Sequence, residues 1–215
     1  SQSGDKQAIK NIELVKKYIN HIESGNPART LESNDEELSL INSFNLLTMK
    51  PVLYVCNVDE SSVINGNDYV NLIQDVTKSE NAEVLIIATA IEAEIADLET
   101  IDEQLLFLEE MGLDQPGVNH LIKSTYKLLN LQTYFTAGEK EVKAWTIVKG
   151  TKAPKAASVI HTDFEKGFIR AEVISYDNFI KYGSEHNCRE NGKLSIEGKD
   201  YIVNDGDIMH FRFNV

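Results

Sequence analysis

Two uninterrupted apolar runs set the strongest limit on what this chain can fold into: residues 52–55 within "PVLYVCNVDE" and residues 83–89, "EVLIIAT". Each has the length of a strand and each is followed by helical periodicity. A strand buried on one face alternates apolar and polar residues, whereas one covered on both faces by helices reads as a continuous apolar run. The pair therefore predicts buried parallel strands of an α/β unit, with a helix from Tyr69 to about Ser79 between them. The first run stops on Asn57 and acids follow. Asn57 either hydrogen-bonds the turn that ends the strand, as Asn often does, or reads something bound at the strand's tip.

Helical signals surround this pair. From residue 5 to about 23, Ile12, Val15, Ile19 and Ile22 recur at spacings of 3, 4 and 3, an amphipathic stripe. "SGNPA" breaks that helix, and Ser33 with Glu36 three residues later reads as a capping box opening a second helix to about Thr48, which Pro51 ends. "TIDE" (residues 100–103) makes a further capping box, and Pro116-Gly117 opens a helix whose apolar face includes Val118, Leu121, Ile122 and Leu128.

After Leu131 the pattern changes to short strands. "TYFTAGEKEVKAWTIV" reads as a hairpin turning near Gly138, with Lys143, Trp145 and Ile147 on alternate positions. Ala153, Ala156, Ala157 and Ile160 then sit at helical spacing with Thr151 as cap, and Gly167 stops the segment before the strand "FIRAEVI". "KDYIV" and "DIMHFRF", joined at "NDGD" with Gly206 in the turn, read as a last strand pair. This order, β-β-α-β, a short helical piece, then β-β, suits a small mixed sheet crossed by one helix, a β-grasp (ubiquitin-like) α+β domain.

Charge is unevenly divided. Of 21 Lys+Arg and 34 Asp+Glu in the 215 residues, 12 of each lie in residues 131–215, so residues 1–130 carry 9 against 22, the entire net charge of −13. An acidic front half argues against broad capture of a phosphate backbone there, while the neutral rear half can hold a local basic patch. Between residues 139 and 155, Lys140, Lys143, Lys149, Lys152 and Lys155 outnumber Glu139 and Glu141, a net +3 that marks a candidate contact to RNA phosphates or else a solubilising surface. No apolar run approaches the roughly 20 residues that span a bilayer. With two cysteines and no visible signal peptide, a cytosolic, disulfide-free protein is expected. The chain opens "SQSGDK" without a Met, which points to a missing N-terminal segment.

Three rear segments, "LLNLQTYFTAGEKEVKAWTI", "IHTDFEKGFIRAEVISYDNF" and "EGKDYIVNDGDIMHFRFNV", resemble the C-terminal TGS domain of the YchF family, Obg-like P-loop nucleotidases that favour ATP over GTP. "KPVLYVCNVDE" resembles that family's strand carrying N-x-x-E, and "ATAIEAEIADL" its next strand and loop. The resemblance implies a helical-arm remnant over residues 1–24, the C-terminal part of a P-loop G domain (α/β) over 25–130, and a TGS domain over 131–215. It implies ATP or GTP with Mg²⁺ as cofactor of the full-length protein, and the ribosome or its RNA as partner. No G-x-x-x-x-G-K-[ST] loop occurs here, nor a D-x-x-G switch motif after a strand, so no catalytic residue is assigned and the chain alone is expected to be inactive.

In the guanine-specific motif N-K-x-D, Asn grips the base edge, the Lys stem lies over the base, and Asp accepts from the guanine N1–H and 2-amino group. Here the four are Asn57, Val58, Asp59 and Glu60. Val58 cannot supply the Lys contact and Glu60 displaces the carboxylate, so guanine selectivity should be lost. The resemblance assigns base contacts to the backbone N–H groups of Ala88, Thr89 and Ala90, followed by Ile91 where guanine-specific relatives tend to carry Lys. The alternative is a non-enzymatic TGS module that binds RNA or the ribosome.

Other candidates are weaker. His21, His120, His161, His186 and His210 show no zinc spacing, so no metal ligand is assigned. His161 and Asp163 lack a nucleophile or third partner, which favours a structural or contact role. Cys56 reads as a buried strand residue, redox sensing is the minor alternative at Cys188, and Trp145, Phe164, Phe168, Phe211 and Phe213 read as core rather than as a base-stacking platform.

Overall fold

The computed structural model describes residues 2–80, 82–138 and 141–214. The chain divides into two compact units, Ser1–Leu128 and Leu129–Val215.

In the first unit, helix α1 (Gln2–Glu23) and α2 (Asp35–Asn42) share a buried cluster of Leu14, Tyr18 and Ile41, joined by Ala28 from the segment between them. The buried side of α1 is thus not the expected Ile12, Ile19 and Ile22 stripe, all three of which are exposed; Leu14 and Tyr18 lie on a neighbouring face of the helix. The capping box of α2 falls one residue later than expected, on Asn34 and Glu37, because the Ser33 hydroxyl is bonded to Tyr18 Oη at 2.9 Å. The helix also stops at Asn42, and Asn45 turns the chain with a φ of 52°. Strand β1 (Leu53–Asn57) pairs in parallel with β2 (Glu83–Ile87), and α3 (Asp68–Thr77), capped by Asn67, forms the crossover. Among the described residues this sheet has two strands, so β1 is partly open to solvent rather than buried on both faces. Helices α4 (Thr89–Asp97), α5 (Ile101–Glu110) and α6 (Gly117–Leu128) follow, and α5 starts on the expected Thr100–Glu103 capping box. Away from the strand tips, a largely buried Arg29–Glu80 ion pair ties the segment after α1 to the chain before β2. The Arg29 hydrogen bond, against burial and aided by the Tyr54 hydroxyl at 3.1 Å, holds the Glu80 carboxyl below its ordinary pKa.

The second unit contains β3 (Leu131–Ala137), β4 (Val142–Val148), α7 (Ala153–Ile160), α8 (Thr162–Lys166), β5 (Phe168–Ser175), α9 (Tyr176–Tyr182), α10 (Glu185–Glu190), β6 (Ser195–Glu197) and β7 (Asp207–Phe213). The sheet order is β4-β3-β7-β5-β6, with β3 and β7 parallel at its centre and the other pairs antiparallel, which is a β-grasp fold. Helix α7 crosses one face. Ala153, Ala156 and Ala157 are fully buried there, and their small side chains let the helix close on Tyr134, Ile147, Val173 and Met209.

Two expectations fail in this unit. Thr151 does not cap α7: its hydroxyl donates to the Val148 carbonyl at 2.6 Å, and Lys152 holds the cap position without a side-chain bond. "KDYIV" forms no strand. It makes one isolated bridge, Lys152 to Ile202, because Asp207 Oδ2 accepts from Tyr201 Oη at 2.7 Å and the Asn204 amide at 2.8 Å and so folds the segment into a loop. The strand beside β5 comes instead from residues 195–197. Gly206 has a φ of 80°, and its amide donates to the Thr133 carbonyl at 2.8 Å.

Candidate functional site

Because β1 and β2 run in parallel with Asn57 opposite Ile87, the residues that follow both strands emerge at the same end of the sheet. In open α/β sheets ligands bind at the carboxyl ends of the strands. Asn57 Oδ1 there accepts two hydrogen bonds, from the Thr89 amide at 3.0 Å and the Thr89 hydroxyl at 3.1 Å. It thereby supplies the first-turn cap that α4 lacks locally, since the cap residue is Ala88. The Val58 amide donates to the Ile87 carbonyl at 2.9 Å, a second tie between the two loops.

The remaining candidates separate into outward and inward groups. Val58 packs against the cluster of Ala88, Ile91, Ile95 and Leu108, in which Ala88 and Ile91 are each 1% exposed. Thr89 and Ala90 are exposed, but the Thr89 amide is committed to Asn57, and among the three expected amides that one is not open to a ligand in this arrangement. Asp59 Oδ1 accepts from the Ser61 hydroxyl at 2.8 Å, and the Ser62 and Ser61 hydroxyls hold the Asp59 carboxyl below its ordinary pKa. Glu60 is exposed at the start of a short 3₁₀ turn, Glu60–Ser62.

One residue of this region was not singled out from sequence. Glu92, one turn into α4, places Oε1 2.6 Å from the Gly117 amide and Oε2 3.1 Å from the Val118 amide, so its carboxylate caps α6. Gly117 has no room for a side chain: a Cβ would lie 2.7 Å from Ile87 Cγ1 and 2.9 Å from Glu92 Oε1. The legible signal was that the helix starting at Gly117 has Pro116, which offers no side-chain acceptor, in the position before it. Glu92→Ala is expected to destabilise the first unit by about 1–3 kcal/mol, since it leaves partly buried amides without an acceptor. A lowered urea midpoint of the far-ultraviolet circular dichroism signal checks this.

Elsewhere, His161 Nδ1 accepts from the Asp163 amide at 3.2 Å and caps α8, a structural use of that pair. Cys188 is fully buried and its Sγ donates to the Asn178 carbonyl, which removes it from solvent oxidants; Cys56 is half-buried. Among the described residues no group of three His, Cys, Asp or Glu is arranged to hold a metal ion, and no helix is long and apolar enough to cross a membrane. Phe164 and Phe213 stack at 3.8 Å, and Trp145 is half-buried, with Nε1 donating to Thr136 Oγ1 at 2.9 Å and Lys143 Nζ 4.2 Å from its ring centre. Of the five lysines, Lys140 lies outside the described residues. Lys152 pairs with Asp200 at 2.7 Å and Lys155 with Glu165 at 3.5 Å, so acids distant in sequence offset the patch that residues 139–155 alone had indicated.

The family model described as YchF-GTPase_C, protein of unknown function (DUF933), matches residues 131–214. The "Ribosome-binding ATPase YchF" of Haemophilus ducreyi is 51% identical over 215 residues, covering all of this chain and 59% of the relative. That of Bacillus subtilis is 48% identical, covering 98% of this chain and 58% of the relative. The solved structure of the Schizosaccharomyces pombe YchF GTPase superposes with a TM-score of 0.84 at 36% identity, over 98% of this chain and 55% of that one. The chain belongs to the YchF family. It spans about three-fifths of the length of these YchF relatives, 59% and 58%. Membership gives both units their fold: part of a P-loop α/β domain, then a TGS-like β-grasp domain.

Proposed function

We propose that this chain is the base-reading and ribosome-contacting portion of a YchF-type nucleotidase that prefers ATP. Residues 1–24 are read as the remnant of its helical arm, 25–130 as the rear of its G domain and 131–215 as its TGS domain. The observation that carries the reading is the double hydrogen bond from Thr89 to Asn57, which fixes the N-x-x-E segment and the loop after β2 as one element at the strand tips. With Oδ1 occupied, Asn57 offers its Nδ2 donor. Purines present an N7 acceptor on the same edge as position 6, and adenine adds an amino donor where guanine has an oxygen. A Glu60 carboxylate is an acceptor for that amino group and repels the guanine oxygen. Val58, packed against the apolar cluster, puts no lysine stem over the ring. The Ala90 amide, in the first turn of α4, completes the donor set.

The residues present fit the base but not the rest of the nucleotide. Phosphoryl transfer relies on a phosphate-cradling loop, its Lys and Mg²⁺, and no G-x-x-x-x-G-K-[ST] loop lies within the 215 residues. ATP or GTP with Mg²⁺ is accordingly assigned to the longer protein, with no catalytic residue in this chain. The relatives' printed names support ribosome association, and with it a cytoplasmic location. Lys143 and Lys149 remain contact candidates, as do Lys152 and Lys155, whose exposed ion pairs are weak and exchange readily for phosphate. A non-enzymatic RNA-binding module is the second reading, favoured by a second unit that carries its own core.

Specificity tests the base reading. In the chain joined to a relative's N-terminal segment, Val58→Lys with Glu60→Asp should shift the ATP-to-GTP affinity ratio toward GTP by about tenfold or more. Competition titration measures the ratio, and Glu60→Asp alone guards against misfolding caused by placing a lysine where Val58 packs. An unchanged ratio in both variants would move the preference to backbone groups around Thr89.

A further inference from the structure

The sheet of the second unit has a face opposite α7, and alternation along β5 and β7 puts Arg170, Glu172, His210 and Arg212 on it. Arg170 stands opposite Arg212 and Glu172 opposite His210. Arg189 reaches the same place from α10. Glu172 is only 8% exposed, and its carboxylate gathers all three guanidinium groups: Oε2 lies 3.4 Å from Arg212 and 3.5 Å from Arg189, and Oε1 3.9 Å from Arg170. Burial pushes the Glu172 pKa up, but the hydrogen bond from Arg212 and the charges of Arg212, Arg189 and His210 outweigh it, so the carboxyl stays ionised below its ordinary range.

The ratio of charges separates this cluster from the lysines. Lys152 and Lys155 each meet one acid of their own. Here three arginines share Glu172, with Glu185 as the second acid, 3.2 Å from Arg189. Each guanidinium carries five N–H donors in a fixed fork, and each of the three side chains is about half exposed, at 49%, 58% and 48% for Arg170, Arg189 and Arg212. One buried carboxylate therefore holds three forks in place while most of their donors still face water. Planar, bidentate donors of this kind match phosphate oxygens.

A pocket of about 350 Å³ adjoins the cluster. Glu172 and His210 stand in its lining, and Ile174, Phe179, Leu194 and Ile208 make its wall apolar. We propose that Arg170, Arg189 and Arg212 form a phosphate-binding site for single-stranded RNA, and that the pocket beside them takes an unstacked base. The assignment rests on the reading that this chain meets the ribosome. It specifies unpaired RNA because a base inside a duplex cannot enter a pocket, and because the forks lie on an open face along which a strand can continue.

The test measures binding of a fluorescein-labelled, unstructured 12-nucleotide RNA, and of the same strand in a duplex, to the 215-residue chain by anisotropy across a salt series. The single strand should bind more tightly than the duplex. Arg170→Gln with Arg212→Gln should weaken binding and flatten the log–log salt slope by about 1.4, from roughly 0.7 per phosphate contact on a single strand. Arg212→Lys should keep the slope and lose affinity. Glu172→Gln removes the competing anion while keeping the shape, so it should bind the strand more tightly than the parent; a purely structural hub would make it weaker. Weaker binding by Glu172→Gln, or an unchanged slope in the double variant, overturns the site. If Lys149→Gln, Lys152→Gln and Lys155→Gln together flatten the slope and the arginine variants do not, the cluster is wrong and RNA contact stands on the lysines. Equal binding of duplex and strand overturns the pocket assignment. A chain that pellets with ribosomes but binds neither RNA overturns this site and leaves the ribosome reading intact.

Discussion

Joined to the N-terminal segment of the Haemophilus ducreyi relative, the 215-residue chain is expected to hydrolyse ATP, while the chain alone releases phosphate no faster than a protein-free control. The gap should exceed about a thousandfold. Enzymes of this kind gain their rate from fixed donors and Mg²⁺ around the transferring phosphoryl group, and typical accelerations are on the order of a millionfold or more. On the proposed reading, what this chain contributes at the strand tips, Asn57, Glu60 and the first turn of α4, is contact to the base and to none of the reacting atoms. A phosphate-release assay on both proteins decides the matter. Turnover by the chain alone would place the chemistry somewhere other than a phosphate loop. A silent fusion that still binds ATP would remove the enzymatic reading and favour the RNA-binding module.

Tyr134→Ala is expected to have the largest effect on stability, about 3–5 kcal/mol, as large aromatic truncations in cores do. Tyr134 is wholly buried in the cluster beneath α7, meets Phe211 edge to face with ring centres 5.9 Å apart, and donates from its hydroxyl to the Ala156 carbonyl at 2.9 Å. Burial pushes the phenol's pKa up, so the hydroxyl remains a donor throughout the working pH range. Truncation removes the ring and takes the second hydrogen bond from a carbonyl of the helix that closes the core. Tyr134→Phe isolates the second part and should cost only about 0.5–1.5 kcal/mol, or somewhat more if the carbonyl stays dry. The chain's single tryptophan, Trp145, packs against the same core, so urea unfolding followed by its fluorescence reports on this unit. Against a typical total of about 5–15 kcal/mol, the Ala variant should lose a large fraction of its midpoint and the Phe variant little. Equal losses in the two variants would show that the hydroxyl, and not the packing, holds α7.

Sequence legibility followed the range of the interactions involved. The Thr100–Glu103 box, the positions of the two apolar strands though not the full burial of β1, the hairpin around Gly138 and the alanine face of α7 are written in neighbours within a few residues, and the structure bears them out. Apart from Thr151, whose hydroxyl turns back to Val148 three residues away, the side-chain misses came where a distant partner claimed a group. Ser33 looked like a cap but bonds Tyr18 from another helix. "KDYIV" alternates like a strand, yet Asp207 claims Tyr201 and Asn204. The lysine patch counted only the acids beside it, while Asp200 and Glu165 come from other segments. Glu92 and Glu172 are hard to read for the same reason: Glu92 meets the Gly117 amide 25 residues away, and Glu172 gathers Arg189 from α10 and Arg212, 40 residues away, from β7. At the strand tips, Asn57 and Thr89 were named for base contact, but nothing in either segment indicates that the two side chains bind each other.

That bond makes Asn57 an ambiguous target for genetics. An alanine there deletes the proposed ligand donor and, in the same stroke, the acceptor that caps α4, a loss of about 0.5–2 kcal/mol by itself. A weakened phenotype from such an allele reports two defects that cannot be separated. Asn57→Asp divides them, since an aspartate still accepts from Thr89 and caps the helix but has no amide hydrogens to give. The informative comparison is between the aspartate and alanine alleles, with the wild type serving only as the common reference.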